Sequence, residues 1–214
     1  MNEVFQELEK RGVVAVLVID DVETAVPTAK ALVEGGITAI ELALRTDAAL
    51  ESIKRIHKEV SSMMIMAGTV IRPDQLKLVQ EAGADAAVAP GMNLKVMKEA
   101  KRIGLPFAPG ICTASEIEAG IENGVKYFKY FPAEAVGGLK YLKSMAGPYN
   151  YLGLKYFPLG GVKQSSLAEY AQSDLIFAIG GSWIAKTSDI NAHDYDGIRE
   201  RAKLAVEEWN RERK

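Results

Sequence analysis

Short, unbroken apolar runs alternate with amphipathic stretches from one end of the chain to the other. The runs are "VVAVLV" (13–18), "AIELAL" (39–44), "MIMAG" (64–68), "AAVAP" (86–90), "FAPG" (107–110), "KYFKYF" (126–131), "KYFPL" (155–159) and "LIFAIG" (175–180). Most are apolar at consecutive positions rather than alternate ones, the pattern of a strand covered on both faces, as in a parallel sheet. The segments between them, such as "ETAVPTAKALVEGG", "DAALESIKRIHKEV", "NLKVMKEAKRIG" and "ASEIEAGIENG", repeat apolar residues at helical spacing. Gly83, Gly104 and Gly124 stand where helices should close, and Asp47 and Thr113 where helices should open. The acidic, amphipathic start "MNEVFQELEKRG" predicts an N-terminal helix, and "YDGIRERAKLAVEEWNRERK" a C-terminal one.

Eight strands with intervening helices, and no linker or low-complexity segment, predict one α/β domain over residues 1–214. Two architectures meet that description: a closed (β/α)8 barrel (TIM barrel) and an open doubly wound sheet. The strand count favours the barrel. The open sheet is disfavoured because no G-x-G-x-x-G follows the first strand.

Composition narrows the function classes. The net charge of -2 argues against a general nucleic-acid binder, which needs a basic surface. The start of the chain lacks a signal peptide's basic and apolar regions, and no apolar run reaches about 20 residues, so no membrane role is expected. Cys112 is the single cysteine, which excludes an intramolecular disulfide and fits a reducing cytoplasm. The two histidines, His57 and His193, stand at no metal-ligand spacing; both are expected on the surface and no metal site is expected.

One residue breaks the apolar pattern. Lys129 sits among four aromatics in "YFKYF" and the residues around it, and burying an ammonium costs several kcal/mol unless it is paired or neutral. In a barrel the reacting groups stand at the C-terminal ends of the strands. There the second run ends in Glu41 and Arg45, the third in Thr69, the fourth in Pro90, the seventh in "LGG" (159–161) and the eighth in "GGSW" (180–183). Runs two and six face each other across an eight-strand ring, so Glu41 and Lys129 can meet near its axis. With Lys129 inward, Tyr127 and Phe131 point inward too, while Phe128 and Tyr130 point out against helices. Such a pair is either a structural ion pair or imine chemistry: a neutral amine attacks a carbonyl, and the imine draws electrons from a neighbouring bond. Aromatic surroundings favour the neutral amine and a fixed carboxylate opposes it, so Glu41 is expected to shuttle protons rather than to be a tight, permanent partner. The glycines at 160–161 and 180–181 either make tight turns or, with Ser182 and the N-terminus of a following short helix, receive a phosphate. Arg45 can grip a carboxylate or lie on the surface.

Taken in order, "IELALRT", "AGTV", "APGMN", "APGICTASE", "KYFPAEAVGG", "AGP", "LGGV" and "IGGSW" resemble the 2-keto-3-deoxy-6-phosphogluconate (KDPG) aldolase / 4-hydroxy-2-oxoglutarate (KHG) aldolase family from about residue 10 to the C-terminus. The resemblance implies a metal-free, trimeric class I aldolase on a (β/α)8 barrel, acting on a small 2-oxo acid and releasing pyruvate, with no cofactor. By position it implies Lys129 as the Schiff-base lysine and Glu41 as the general acid/base. Arg45 and Thr69 would hold the pyruvate carboxylate, Pro90 and Phe131 would line the pocket, and Gly160, Gly161, Gly181 and Ser182 would receive the phosphate. One position departs: many members acting on the gluconate-derived substrate carry Thr before the Gly-Gly, where this chain has Leu159. A leucine cannot hydrogen-bond the substrate beside the reacting carbon, which leaves the aldehyde and its stereochemistry open, a galactonate-derived acid included. Two other readings compete: a phosphosugar isomerase or epimerase, which needs no lysine in that strand, and a non-enzymatic phosphate-binding barrel.

Overall fold

The computed structural model describes residues 2–213. Helix α1 (Asn2–Arg11) leads into β1 (Val13–Leu17), and strands and helices then alternate: α2 (Ala25–Glu34), β2 (Ala39–Ala43), α3 (Ala49–Glu59), β3 (Met64–Gly68), α4 (Pro73–Glu81), β4 (Ala86–Val88) and α5 (Leu94–Ile103). The second half runs β5 (Phe107–Ala108), β6 (Gly110–Ile111), α6 (Ala114–Glu122), β7 (Tyr127–Tyr130), α7 (Gly138–Ala146), β8 (Lys155–Pro158), α8 (Leu167–Ala171), β9 (Ile179–Gly181), α9 (Thr187–Asn191) and α10 (Tyr195–Glu212). Every strand pairing is parallel, and the α/β fold curves its strands into two arcs. One has the order β5-β4-β3-β2-β1-β9 and the other β6-β7-β8.

Each predicted apolar run contains a strand, and the differences have local causes. "FAPG" holds two short strands because Pro109 has no N–H to give the ladder; its carbonyl still accepts from Lys129 N at 2.9 Å. In "LIFAIG" the ladder to β1 forms only from Ile179 onward, and before it a single bridge joins Ile176 to Tyr156 of β8. Thr113 opens α6 with a reciprocal capping box to Glu116. Asp47 does not cap α3: it is exposed in a turn, and the helix starts after Ala48 with no side-chain cap. Gly104 closes α5 in the left-handed conformation that glycine adopts at least cost.

Two apolar layers result. The outer one packs strands on helices and includes Phe128, Tyr130 and Tyr156; α6 comes so close that a Cβ on Gly120 would lie 2.3 Å from the Phe128 ring. The inner layer gathers Val14, Met66, Val88, Ala108, Phe157, Leu159 and Phe177, with Tyr127 and Phe131 packed against it. Tyr127 and Phe131 thus face inward and Phe128 and Tyr130 outward, as the strand alternation predicts. At the N-terminal ends of the strands, Phe5 of α1 closes the interior. Its ring stacks on Tyr127 at 5.2 Å and meets Phe177 edge-on at 6.1 Å.

Candidate active site

At the opposite ends of the strands lies a cavity of about 550 Å³. Glu41 comes from β2 and Lys129 from β7. Lys129 Nζ donates to Glu41 Oε1 at 2.8 Å and to Oε2 at 3.0 Å. The residues are 3% and 1% exposed. This tight pair corrects the expectation that Glu41 would stand apart from the amine. Both groups lie on inner faces out of water, and there opposite charges without another partner must meet. Phe131 sits beside them, its ring centroid 5.4 Å from Nζ.

Two glycines make room for the pair, and neither stood out in the sequence as a site residue. A Cβ on Gly68, in register with Ala43 on β2, would lie 2.4 Å from Glu41 Oε1. Gly110 pairs with Lys129, and a Cβ there would lie 2.3 Å from the Pro90 carbonyl. The requirement is imposed by residues distant in sequence, so no local pattern marks it.

The other expected residues divide. Arg45 lines the cavity and is exposed; its Nε donates to Thr69 Oγ1 at 3.4 Å, rather than pairing with Glu41. Thr69 is half-buried with φ 60, in the left-handed region, which turns the chain sharply after β3. Pro90 is not among the cavity-lining residues; it stands one strand away, against Gly110. Leu159, Gly160, Gly161, Gly181 and Ser182 all line the wall. Gly160 and Gly161 both have positive φ, 91° and 81°, and a Cβ on Gly160 would lie 2.9 Å from the Phe131 ring. No helix starts at Ser182: a turn follows, and α9 begins only at Thr187. The expected helix N-terminus is therefore not adjacent to the glycine turn.

The Gly160–Gly161 turn is braced from below. Glu134 N donates to Gly160 O at 3.0 Å and Ala133 N to Leu159 O at 2.8 Å. Glu134 Oε1 in turn accepts from the Tyr170 hydroxyl at 2.7 Å. Burial, and then that hydrogen bond, push the Tyr170 hydroxyl well above the ordinary tyrosine range, so it stays a donor. Trp183 also lines the cavity, its Nε1 donating to Gln164 Oε1 at 3.1 Å. Lys163 and Lys186 complete the rim; they follow the two glycine turns and were not read as site residues.

Among the described residues no three His, Cys, Asp or Glu side chains gather as a metal site. His57 and His193 are exposed. No described helix is long and apolar enough to cross a membrane.

A buried amine and carboxylate at the C-terminal ends of parallel strands, opening on a cationic cavity, are the parts of a carbonyl-handling enzyme site. Residues 4–201 match the family model for KDPG and KHG aldolase, and the chain belongs to that family. It is 43% identical over 195 residues to the KHG/KDPG aldolase of Escherichia coli (strain K12), covering 91% of each chain. Its fold matches the KDPG aldolase of Legionella pneumophila, a structure with pyruvate captured at low pH as a covalent carbinolamine. That match has a TM-score of 0.88 and 33% identity, and covers 93% of this chain and 96% of the other. The Zymomonas mobilis ZM4 enzyme, solved with 3-phosphoglycerate, matches with TM-score 0.85 and 37% identity, covering 96% and 94%.

Proposed function

We propose that the protein is a class I aldolase that cleaves a 4-hydroxy-2-oxo acid to pyruvate and an aldehyde. Its substrates would be KDPG, giving glyceraldehyde 3-phosphate, and 4-hydroxy-2-oxoglutarate, giving glyoxylate. The observation that carries this reading is the buried Lys129–Glu41 pair opening on the cavity. The carbinolamine in the Legionella relative supports it.

The pair's geometry suits proton exchange. At 2.8 Å, Lys129 can pass a proton straight to Glu41, leaving a neutral amine and a neutral acid. The amine attacks C2 of the oxo acid and Glu41 returns the proton to the new oxygen; Glu41 then carries a second proton from the attacking nitrogen to that hydroxyl, which leaves as water and leaves a protonated imine. Glu41, again a carboxylate, takes the proton from the C4 hydroxyl as the C3–C4 bond breaks. The bonding electrons move into an enamine on the lysine side and the aldehyde departs. Protonation at C3 and hydrolysis then release pyruvate and restore the amine. Arg45, with Thr69 beside it, holds the oxo-acid carboxylate. Phe131 covers the reacting carbons, Pro90 supports the Lys129 strand through Gly110, and Gly160, Gly161, Gly181 and Ser182 receive the phosphate.

The same reading takes residues 1–214 as one domain and the two arcs as parts of one closed (β/α)8 barrel. Supporting closure, β5 and β6 are separated by Pro109 alone, and Tyr156 bridges to Ile176 between β8 and the run that becomes β9. A cytoplasmic homotrimer completes the proposal; sedimentation should return three times the 23.2 kDa chain mass.

Borohydride reduction in the presence of pyruvate tests the chemistry. Lys129 should gain one reduced pyruvyl adduct, located by peptide mass mapping. An isomerase or a phosphate-binding barrel would gain none, and an adduct on another lysine would reassign the nucleophile.

A further inference from the structure

One wall of the cavity is a tryptophan whose ring is held from outside the cavity, and what that hold does rests on the aldolase reading. Trp183 follows the Gly181–Ser182 turn at the end of β9 and lines the cavity, half-buried. Arg45 bonds to Thr69 on the β2–β3 side, while β9 is separated from β2 by β1. With the oxo-acid carboxylate on Arg45, Trp183 therefore faces the aldehyde half of a bound substrate. An indole on an open wall needs a partner for its N–H if the ring is to keep one orientation. Here two opposite edges of the ring are held. The edge carrying Cε3 and Cζ3 lies on Gly181, where a Cβ would fall 1.6 and 1.4 Å from those two atoms. The other edge donates from Nε1 to Gln164 Oε1 at 3.1 Å.

Gln164 is not among the cavity-lining residues. It opens the helical turn Gln164–Ser166 after β8, and its Nε2 donates to Glu208 Oε2 on α10. Glu208, Gln164 and Trp183 thus form a relay of side chains from the outer helix to the cavity wall. Chemistry dictates the middle member. An indole N–H can only donate and an ionised carboxylate can only accept, so the group between them must accept on one side and donate on the other, as a primary amide does. The backbone around Trp183 is fixed independently. Arg201 of α10 donates from Nε to Ile184 O at 2.9 Å and from Nη2 to Asp189 Oδ2 at 2.7 Å, which pins the loop after β9. Removing the amide should therefore release the ring and leave the loop in place.

We propose that Gln164, anchored by Glu208, is a positioning residue that fixes the Trp183 indole as the wall of the aldehyde half of the cavity. It touches neither the substrate nor the Lys129–Glu41 pair. Its effect is confined to steps in which the aldehyde portion occupies the cavity, and chemistry that needs pyruvate alone proceeds without it.

Two reactions of the full chain separate those halves. Exchange of the pyruvate methyl protons with deuterium, followed by NMR, needs the imine and enamine on Lys129 but no aldehyde. Aldol cleavage of KDPG or 4-hydroxy-2-oxoglutarate, whichever wild type cleaves better, needs both halves. Gln164→Leu should lower kcat/KM for cleavage roughly tenfold, the worth of one lost hydrogen bond, and leave the exchange rate within about twofold of wild type. Gln164→Glu sets two carboxylates against each other and should lose as much. Adding Glu208→Gln to it restores an amide–carboxylate pair with the roles exchanged and should return cleavage to within about twofold of wild type. Trp183→Phe removes the N–H, and in that background Gln164→Leu should cost nothing further. Unchanged cleavage in Gln164→Leu, equal losses in cleavage and exchange, no recovery in the exchanged pair, or additive losses with Trp183→Phe would each overturn the relay. Absence of exchange in wild type would instead sink the aldolase reading itself.

Discussion

The two ends of the interior use the same strand for opposite purposes. At the N-terminal ends of the strands, Tyr127 of β7 stacks on Phe5 and meets Phe177 edge-on at 5.0 Å, and the interior there is closed by rings. Two residues along, Lys129 is buried against Glu41, and beyond it Phe131 lines an open cavity. The aromatic end is well satisfied: apolar surface is buried there and rings meet rings. The cavity end carries a desolvated ion pair, backbone turned into the left-handed region at Thr69, and unpaired cations on the rim. The desolvated pair and the strained backbone each cost stability. The contrast separates what holds the fold from what performs the chemistry, and variants at the two ends should separate in the same way.

The largest effect should come from the lysine. Lys129→Ala is expected to lower aldol cleavage more than a thousandfold and to remove the borohydride adduct. It should also cost stability, because it leaves Glu41 buried without its partner, a defect worth roughly 3–5 kcal/mol while the carboxylate stays charged. The double variant Lys129→Met/Glu41→Gln sharpens the point: it should recover most of that stability in urea unfolding and none of the activity. A double variant that regained cleavage would show that the pair is structural.

Glu41→Gln alone comes next. A proton shuttle acts in the transition state, so kcat should fall by roughly 10²–10⁴-fold while the affinity for pyruvate changes far less. Equal losses in both would make Glu41 a positioning residue.

The aromatic end should behave in reverse. Phe5→Ala removes a buried ring from the plug, and a loss of about 3 kcal/mol in unfolding free energy is expected. With the cavity untouched, kcat/KM at a temperature where the variant is folded should stay within about twofold of wild type. A large drop in kcat/KM in that folded variant would couple the plug to the site and erase the contrast.

The same division governs what could be read from the sequence. Strands and helices were legible because burial on both faces and helical spacing are local patterns. Lys129 was legible because it breaks such a pattern, and the first helix because it is amphipathic; that its Phe5 plugs the interior was not. What stayed hidden depends on partners far away in the chain. Gly68 matters only because Glu41 lies against it, and Gly110 only because Pro90 does. The tight bond between Lys129 and Glu41 spans 88 residues; strand order could bring the two residues near each other but could not say how closely they would approach. Lys163 and Lys186 lie in turns with no periodicity, and only the folded rim reveals that they face the same space.

The smallest effect tests the boundary between the two regions. Leu159 belongs to the inner apolar cluster with Phe157 and Phe177, and it also lines the cavity. It packs against Gly180, where a Cβ would lie 2.4 Å from Leu159 Cδ2, so its side chain is held in place by the core rather than by substrate. An apolar group there offers no hydrogen bond to a hydroxyl on the reacting carbons. Wild type should therefore discriminate weakly between the gluconate- and galactonate-derived substrates. Leu159→Thr puts a hydroxyl at that wall and should sharpen the preference for one epimer by about tenfold, the worth of one hydrogen bond of roughly 1–2 kcal/mol. It should also cost a little stability, because the inner cluster loses a branched apolar side chain. The measurement is kcat/KM for both epimers in both proteins, alongside pyruvate trapping on Lys129, which should be the same in each. A wild-type preference above a hundredfold that the threonine does not alter would place stereochemical choice elsewhere on the wall and leave Leu159 wholly to the core.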